Sequence, residues 1–143
     1  SGTEAYESVQ PGVVRNADRY LSIMTKGRYS MNIDPVTNEI DVVSADGMRK
    51  KDGEWSSGLR AQILLSIKLA VAMEMGGGKV PVILDDVLLP FDSERKEGAL
   101  ETLSTISKDM QVLMFTCDSE TRRLASDIDG VIVQTMRDPT QSL

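Results

Sequence analysis

The sequence contains no histidine. Imidazole acid–base catalysis and imidazole metal ligation are therefore excluded within this chain. It has a single cysteine, Cys117, so no internal disulfide can form, and the chain fits a reducing, cytoplasmic setting. No apolar run approaches the roughly 20 residues of a membrane span, and no secretory leader pattern is visible, so no membrane partner is expected. No basic run exists, and the net charge is −6. An acidic balance argues against a dedicated nucleic-acid face, although a local patch or another part of a larger protein can still serve that role. What is present is a chain of 143 residues with 41% apolar content, enough for one domain with a real core.

The stretch Lys79–Asp92, KVPVILDDVLLPFD, organises the rest. Val80, Val82, Ile83 and Leu84 form a short β-branched apolar run, which predicts a strand buried on both faces of a parallel sheet. It ends in two adjacent carboxylates, Asp85 and Asp86. Ligands of open α/β sheets bind outside the carboxyl ends of strands. Successive strand residues point to opposite faces, so two adjacent acids can do different work, one on Mg²⁺ and one on a water. The same pair also reads as an ordinary turn after a strand.

Upstream, Glu54-Trp55-Ser56-Ser57-Gly58-Leu59-Arg60-Ala61-Gln62 precedes a long helix predicted from about Leu59 to Met75. Ser56 or Ser57 suits the cap. Gly58 permits close backbone approach. A helix N-terminus with free N–H groups suits phosphate, and plain capping is the other reading of the same residues. The helix is apolar almost all round, from Ile63 to Met73, which predicts burial on most sides. Gly76-Gly77-Gly78-Lys79 looks like half a phosphate loop, but G-x-x-x-x-G-K-[ST] requires strand-then-helix order and a Ser or Thr after the lysine. Here Val80 follows and the order is reversed, so the stretch reads as a helix stop. No phosphate-cradling loop of that type occurs in the sequence.

The remaining segments read as structure. Pro11 opens a helix with Val13, Ala17, Tyr20 and Met24 on one face, and Gly27 stops it. Tyr29, Met31 and Ile33 alternate with polar neighbours. Asp34–Asn38 is a turn and Glu39–Ser44 the return strand. Met48–Glu54 is loop-like. Asp92 caps a helix over Ser93–Ser107 that buries Ala99, Leu100, Leu103 and Ile106. Gln111–Thr116 is a second buried strand, Ser119–Asp127 a short helix and Val131–Val133 a last strand. The tail from Asp138 is expected to fray.

Taken in order, the Ser-Ser-Gly helix start, the acid-terminated strand, Pro90-Phe91-Asp92 and Val112–Asp118 resemble the C-terminal lobe of an ABC-type ATPase head. The resemblance is to the SMC-like group, which includes RecF, RecN and YhaN-like proteins, and it spans roughly Ala17 to Val133. It implies an α/β lobe, half of a P-loop NTPase ABC-type head, with a mostly parallel sheet of four or five strands flanked by helices and an N-terminal β-hairpin. The Walker A lobe and the coiled coil lie outside this sequence. By resemblance Asp85 is the Walker B metal acid and Asp86 the acid that polarises the attacking water. Ser56, Ser57 and Gly58 form the signature that meets ATP on a second head, and Asp92 is the D-loop aspartate. Trp55 departs from the usual leucine. The switch histidine position falls on Cys117 or Asp118. Asp118 is its place in the YhaN-like pattern; neither residue donates like an imidazole, although a protonated Asp can donate a hydrogen bond. The implied function is Mg-ATP binding and hydrolysis between two heads, with an N-terminal lobe and a second head as partners and DNA repair or chromosome maintenance as the setting. The alternatives are a catalytically degenerate interaction module of the same fold and a nucleic-acid-binding domain.

Overall fold

The computed structural model describes residues 9–136; the tail predicted to fray lies outside them. Helix α1 (Pro11–Met24) begins with Pro at its first position, as the sequence predicts. It ends where Lys26 and Gly27 take positive φ. Its face of Val13, Ala17, Tyr20, Leu21 and Met24 is buried. Strands β1 (Tyr29–Ile33) and β2 (Ile40–Ser44) form the predicted hairpin in the register Tyr29↔Ser44 to Ile33↔Ile40. The Asp34 carboxylate fixes the turn by accepting from the N–H groups of Val36 and Thr37 at 2.8 and 3.0 Å. Asp18 of α1 accepts from the Met31 N–H at 2.9 Å, tying the helix to the hairpin.

A short third strand, β3 (Arg49–Lys50), pairs antiparallel with β2 inside the stretch the sequence assigns to a loop. Its two residues are too few for any periodicity to reveal. A 3-10 turn over Asp52–Glu54 then leads into helix α2 (Ser57–Gly76). Gly77 closes α2 at φ +55, with its N–H on the Met73 carbonyl at 2.9 Å, a left-handed stop that glycine adopts without strain. Only one side of α2 is covered: Leu59, Ile63, Leu65, Leu69 and Ala70 are buried, whereas Leu64 is 55% and Met75 83% exposed. Its apolar circumference predicts burial on most sides, and the described residues supply neighbours for one.

Strand β4 (Val82–Asp85) pairs in parallel with β5 (Val112–Phe115), and α3 (Ser93–Ile106) makes the crossover. Helix α4 (Ser119–Ser126) follows. Helix α3 packs so tightly on the end of α1 that a Cβ on Gly98 would lie 2.0 Å from the Met24 carbonyl oxygen. The predicted sheet of four or five mostly parallel strands is corrected here. The described residues form a three-stranded antiparallel sheet, β1-β2-β3, and a separate two-stranded parallel sheet, β4-β5. No strand forms at Val131–Val133. Among the described residues no neighbouring strand offers it a ladder, the Val131 N–H turns back to the Ile128 carbonyl, and Ile132 stays 85% exposed.

Burial on both faces is also corrected. Val82 and Leu84 face the core, but Ile83 is 62% exposed, and its register partner Leu113 and the next open-face residue, Phe115, are 40% and 45% exposed. One face of the parallel sheet is largely apolar and is left uncovered by the described residues. An apolar run dictates that a strand is to be buried, but not whether the cover belongs to the same segment of chain.

Candidate functional site at the ends of β4 and β5

The two acids leave β4 in different ways. Asp85 continues the strand opposite Phe115 and shares the open face with Ile83 and Leu113. Its carboxylate makes no hydrogen bond or ion pair among the described residues. Asp86 turns out of the strand at φ +49, a left-handed conformation uncommon for a residue with a Cβ. The end of β5 fixes it there. The Asp86 N–H donates to the Phe115 carbonyl at 2.7 Å, and the Thr116 hydroxyl donates to Asp86 Oδ1 at 2.6 Å. Thr116 Oγ1 in turn accepts from the Asp118 N–H at 3.0 Å. Adjacent acids on opposite faces, read from strand alternation, become one free carboxylate and one held carboxylate.

Asp118 sits differently from a switch donor. It caps α4, accepting from the N–H groups of Glu120 and Thr121 and from the Thr121 hydroxyl at 2.6 Å. It also pairs with the buried Lys96 ammonium at 2.6 Å. Lys96 reaches Glu120 at 3.0 Å as well, and Ser93 donates to Glu120 at 2.9 Å. The lysine bond, and then those from Thr121 and the backbone, hold the Asp118 carboxyl far below the usual aspartate range. Glu120 is held down, first by Lys96, and Lys96 is held up, first by Asp118. In this arrangement Asp118 accepts from Lys96, Thr121 and the first N–H groups of α4, contacts that favour its ionised form.

Stability follows with a definite sign. A depressed carboxyl contributes stability that is complete above the unfolded value and is lost as pH falls through the folded one. For Asp118 the loss begins below its ordinary value of 3.8. Lys96 acts in the opposite sense: its part is complete below the ordinary lysine value of 10.5 and is lost as pH rises through the raised one. Asp118→Asn is expected to lower the thermal midpoint by a constant amount between about pH 5 and pH 9, with the gap closing on acidification below about pH 4. Circular dichroism melts across that range check this; a gap that persists undiminished at about pH 3 would contradict the ion pair.

The second cluster lies where α2 and α3 begin. The Ser56 hydroxyl accepts from the Leu59 N–H at 3.1 Å, making Ser56 the cap and Ser57 the first helical residue. The N–H groups of Ser57 and Gly58 have no partner among the described residues, and Ser57 is exposed. Trp55 anchors the entry through Nε1 to the Lys50 carbonyl at 3.1 Å, with Arg60 over its ring at 5.2 Å. Asp92 caps α3, accepting from the Arg95 N–H at 2.9 Å and from Arg95 Nη1 at 2.7 Å. The backbone bond from Arg95 is the leading cause that holds Asp92 below its usual value. The same guanidinium donates to Gln62 Oε1 at 3.3 Å and covers Gly58, where a Cβ would come within 2.7 Å of it. A side chain at 58 would have to displace the Arg95 guanidinium from this position.

The first turn of α3 joins the two clusters. Asp92 and Arg95 face the start of α2, while Ser93 and Lys96 face the start of α4 and, through Asp118 and Thr116, reach Asp86. Sequence reasoning singles out Asp85, Asp86, Asp92, Asp118, Ser56, Ser57 and Gly58 but misses Arg95, Lys96, Gln62, Thr116 and Glu120. One signal was available: Lys96 lies on the α3 face that buries Ala99, Leu100 and Leu103, and a lysine there requires an acidic partner. Among the described residues no group of three or more Cys, Asp or Glu side chains is placed to hold a metal alone. Mg²⁺ commonly takes one or two carboxylates plus substrate oxygens, and the unengaged Asp85 carboxylate fits that donor set.

The fold is SMC head-like. The chain matches an SMC head domain from Thermotoga maritima with a TM-score of 0.68 and 21% identity, over 82% of this chain and 41% of that one. It matches a structure from a study of ATP-driven dimerization and DNA-stimulated activation of SMC ATPases, also at 0.68, with 18% identity over 89% of this chain and 78% of that one. An SMC head bound to the C-winged helix domain of ScpA matches at 0.61 and 18% identity, over 80% of this chain and 36% of the other. In sequence the chain is distantly homologous to the uncharacterized protein YhaN of Bacillus subtilis strain 168, with 31% identity over 110 residues. That alignment covers 75% of this chain but only 11% of YhaN. No protein-family model matches the chain. No helix among the described residues is long and apolar enough to cross a membrane.

Proposed function

We propose that this chain is the signature and Walker B half of an SMC-like ATPase head, completed by a Walker A lobe and working as a pair of heads that bind and hydrolyse Mg-ATP. The observation that carries this reading is the unengaged Asp85 at the end of an uncovered apolar sheet face. Burying side chains such as Ile83, Leu113 and Phe115 is worth about 1.5–3 kcal/mol each, so a face of this kind calls for a covering layer. A Walker A lobe laid on it would bring its phosphate loop to the carboxyl end of β4, where Asp85 waits. When Mg²⁺ is bound with ATP, it supplies charge neutralisation for the phosphates.

In this reading Asp85 supports the metal, and Asp86 polarises the attacking water. Ser57 and Gly58 present free N–H groups at the positive end of α2 to phosphate held by the second head. Asp92 and Arg95 set the D-loop against that helix. Asp118 occupies the switch position as part of the Lys96 ion pair and fixes the end of β5. The likeness to SMC ATPases whose activation is DNA-stimulated supports a role in DNA repair or chromosome maintenance, with DNA reached through other parts of the protein. The test is turnover. The complete protein is expected to release phosphate from Mg-ATP, while this chain alone neither binds Mg-ATP tightly by calorimetry nor hydrolyses it. Micromolar binding by the chain alone, or no turnover by the complete protein, would overturn the reading.

A further inference from the structure

We infer that Thr116 is a positioning residue for the hydrolytic step, aiming the Asp86 carboxylate at the attacking water through a one-way hydrogen-bond relay. The inference rests on the reading of Asp86 as the water-polarising acid.

The relay has a fixed direction. A hydroxyl has one proton and two lone pairs. Thr116 Oγ1 accepts from the Asp118 N–H at 3.0 Å, a donor that cannot reverse. Its own proton is thereby left for Asp86 Oδ1, at 2.6 Å, within the short range of bonds to an ionised acceptor. Asp118 does not drift, because it caps α4 and is tied to the buried Lys96. The β-branched Thr116 side chain at the end of β5 has restricted χ1 freedom, which fixes the hydroxyl laterally.

Asp86 is held at both ends by two consecutive residues, the last of β5 and the one after it: its N–H on the Phe115 carbonyl and its Oδ1 on the Thr116 hydroxyl. This accounts for a left-handed φ of +49 at a residue with a Cβ: two bonds from one strand end over-determine it. Oδ1 is engaged, while among the described residues Oδ2 has only the Cys117 N–H at 3.5 Å. Oδ2 is therefore the oxygen with lone pairs to offer a water, and the Thr116 bond decides where it points.

Thr116→Val keeps the branched shape and removes the hydroxyl. In the complete protein it is expected to lower kcat for Mg-ATP hydrolysis about tenfold to a hundredfold, the scale of misaimed reacting groups. KM should move less than about twofold, because the lost interaction serves the chemical step rather than binding. Thr116→Ser, which restores the relay, should return most of the rate. In an Asp86→Asn background, Thr116→Val should lower the residual rate no further, since the group it aims is gone.

Wild-type kcat in Thr116→Val, with Asp86→Asn inactive, would overturn the positioning role while leaving the reading of Asp86 intact. Full hydrolysis by Asp86→Asn would overturn both. Equal losses in the serine and valine variants, or an additive effect in the Asp86→Asn background, would show a structural residue and overturn the inference. If valine disturbs folding, Thr116→Ala repeats the test. Failure of both to associate on Mg-ATP would place Thr116 in the scaffold and equally overturn it.

Discussion

Asp86→Asn in the complete protein is expected to abolish phosphate release while Mg-ATP still binds. Asparagine keeps the size of the side chain and an oxygen that can accept the Thr116 bond, so the left-handed turn after β4 persists. Asp85 should still serve the metal. What disappears is the negative charge: an amide is a poor base and does not stabilise positive charge growing on the water. General-base assistance is typically worth about 10²- to 10⁴-fold, and a fall of that order is expected in kcat with nucleotide affinity retained. Asp85→Asn should behave otherwise, weakening Mg²⁺ and with it nucleotide binding. Phosphate release alongside nucleotide binding separates the two variants. Equal loss of binding in both would show that the acids share one role.

The second large effect is expected at the start of α2. Ser57 is exposed at the first helical position, beside free N–H groups and away from the Ser56 cap bond that holds the helix end. Ser57→Arg leaves that cap intact and fills the approach to the helix N-terminus with a long side chain. A partner head's phosphate can then no longer reach the N–H groups. ATP-driven association of heads should be lost, and turnover should fall by about 10²-fold or more, since the site is never assembled. Each head should still bind Mg-ATP at its own Walker A lobe. Light scattering and nucleotide binding measure the two separately, and unchanged association would remove α2 from the intersubunit contact.

Local chemistry made much of this fold legible. Pro11, Ser56, Asp92 and the Asp34 turn each act within three or four residues of themselves, and each does what its type predicts. The hairpin was readable because Met31 and Ile33 alternate with exposed neighbours. Failures arose where the answer depends on partners distant in sequence. The run at Val80–Leu84 looks the same whether both faces or one are covered by its own segment, so Ile83 was assigned to a core that the described residues do not complete. Val131–Val133 has strand composition but no strand to join among the described residues. At the site, the carboxylates were found because two adjacent acids at a strand end stand out. The groups that hold them, Thr116 on Asp86 and Lys96 on Asp118, lie 30 and 22 residues away, and no local pattern names either pairing.

The central claim is that the α2 start of one head completes the ATP site built on the Asp85 and Asp86 strand of another. Mixing the Asp86→Asn and Ser57→Arg proteins, each inactive alone, tests it most directly. In a mixed pair of heads one site carries both lesions, while the other combines an intact acid pair from the Ser57→Arg head with an intact α2 start from the Asp86→Asn head. Phosphate release is therefore predicted to reappear on mixing, to rise with the proportion of mixed pairs and to vanish without Mg²⁺. A mixture that stays as inactive as its two components, although the heads demonstrably exchange, would contradict the account.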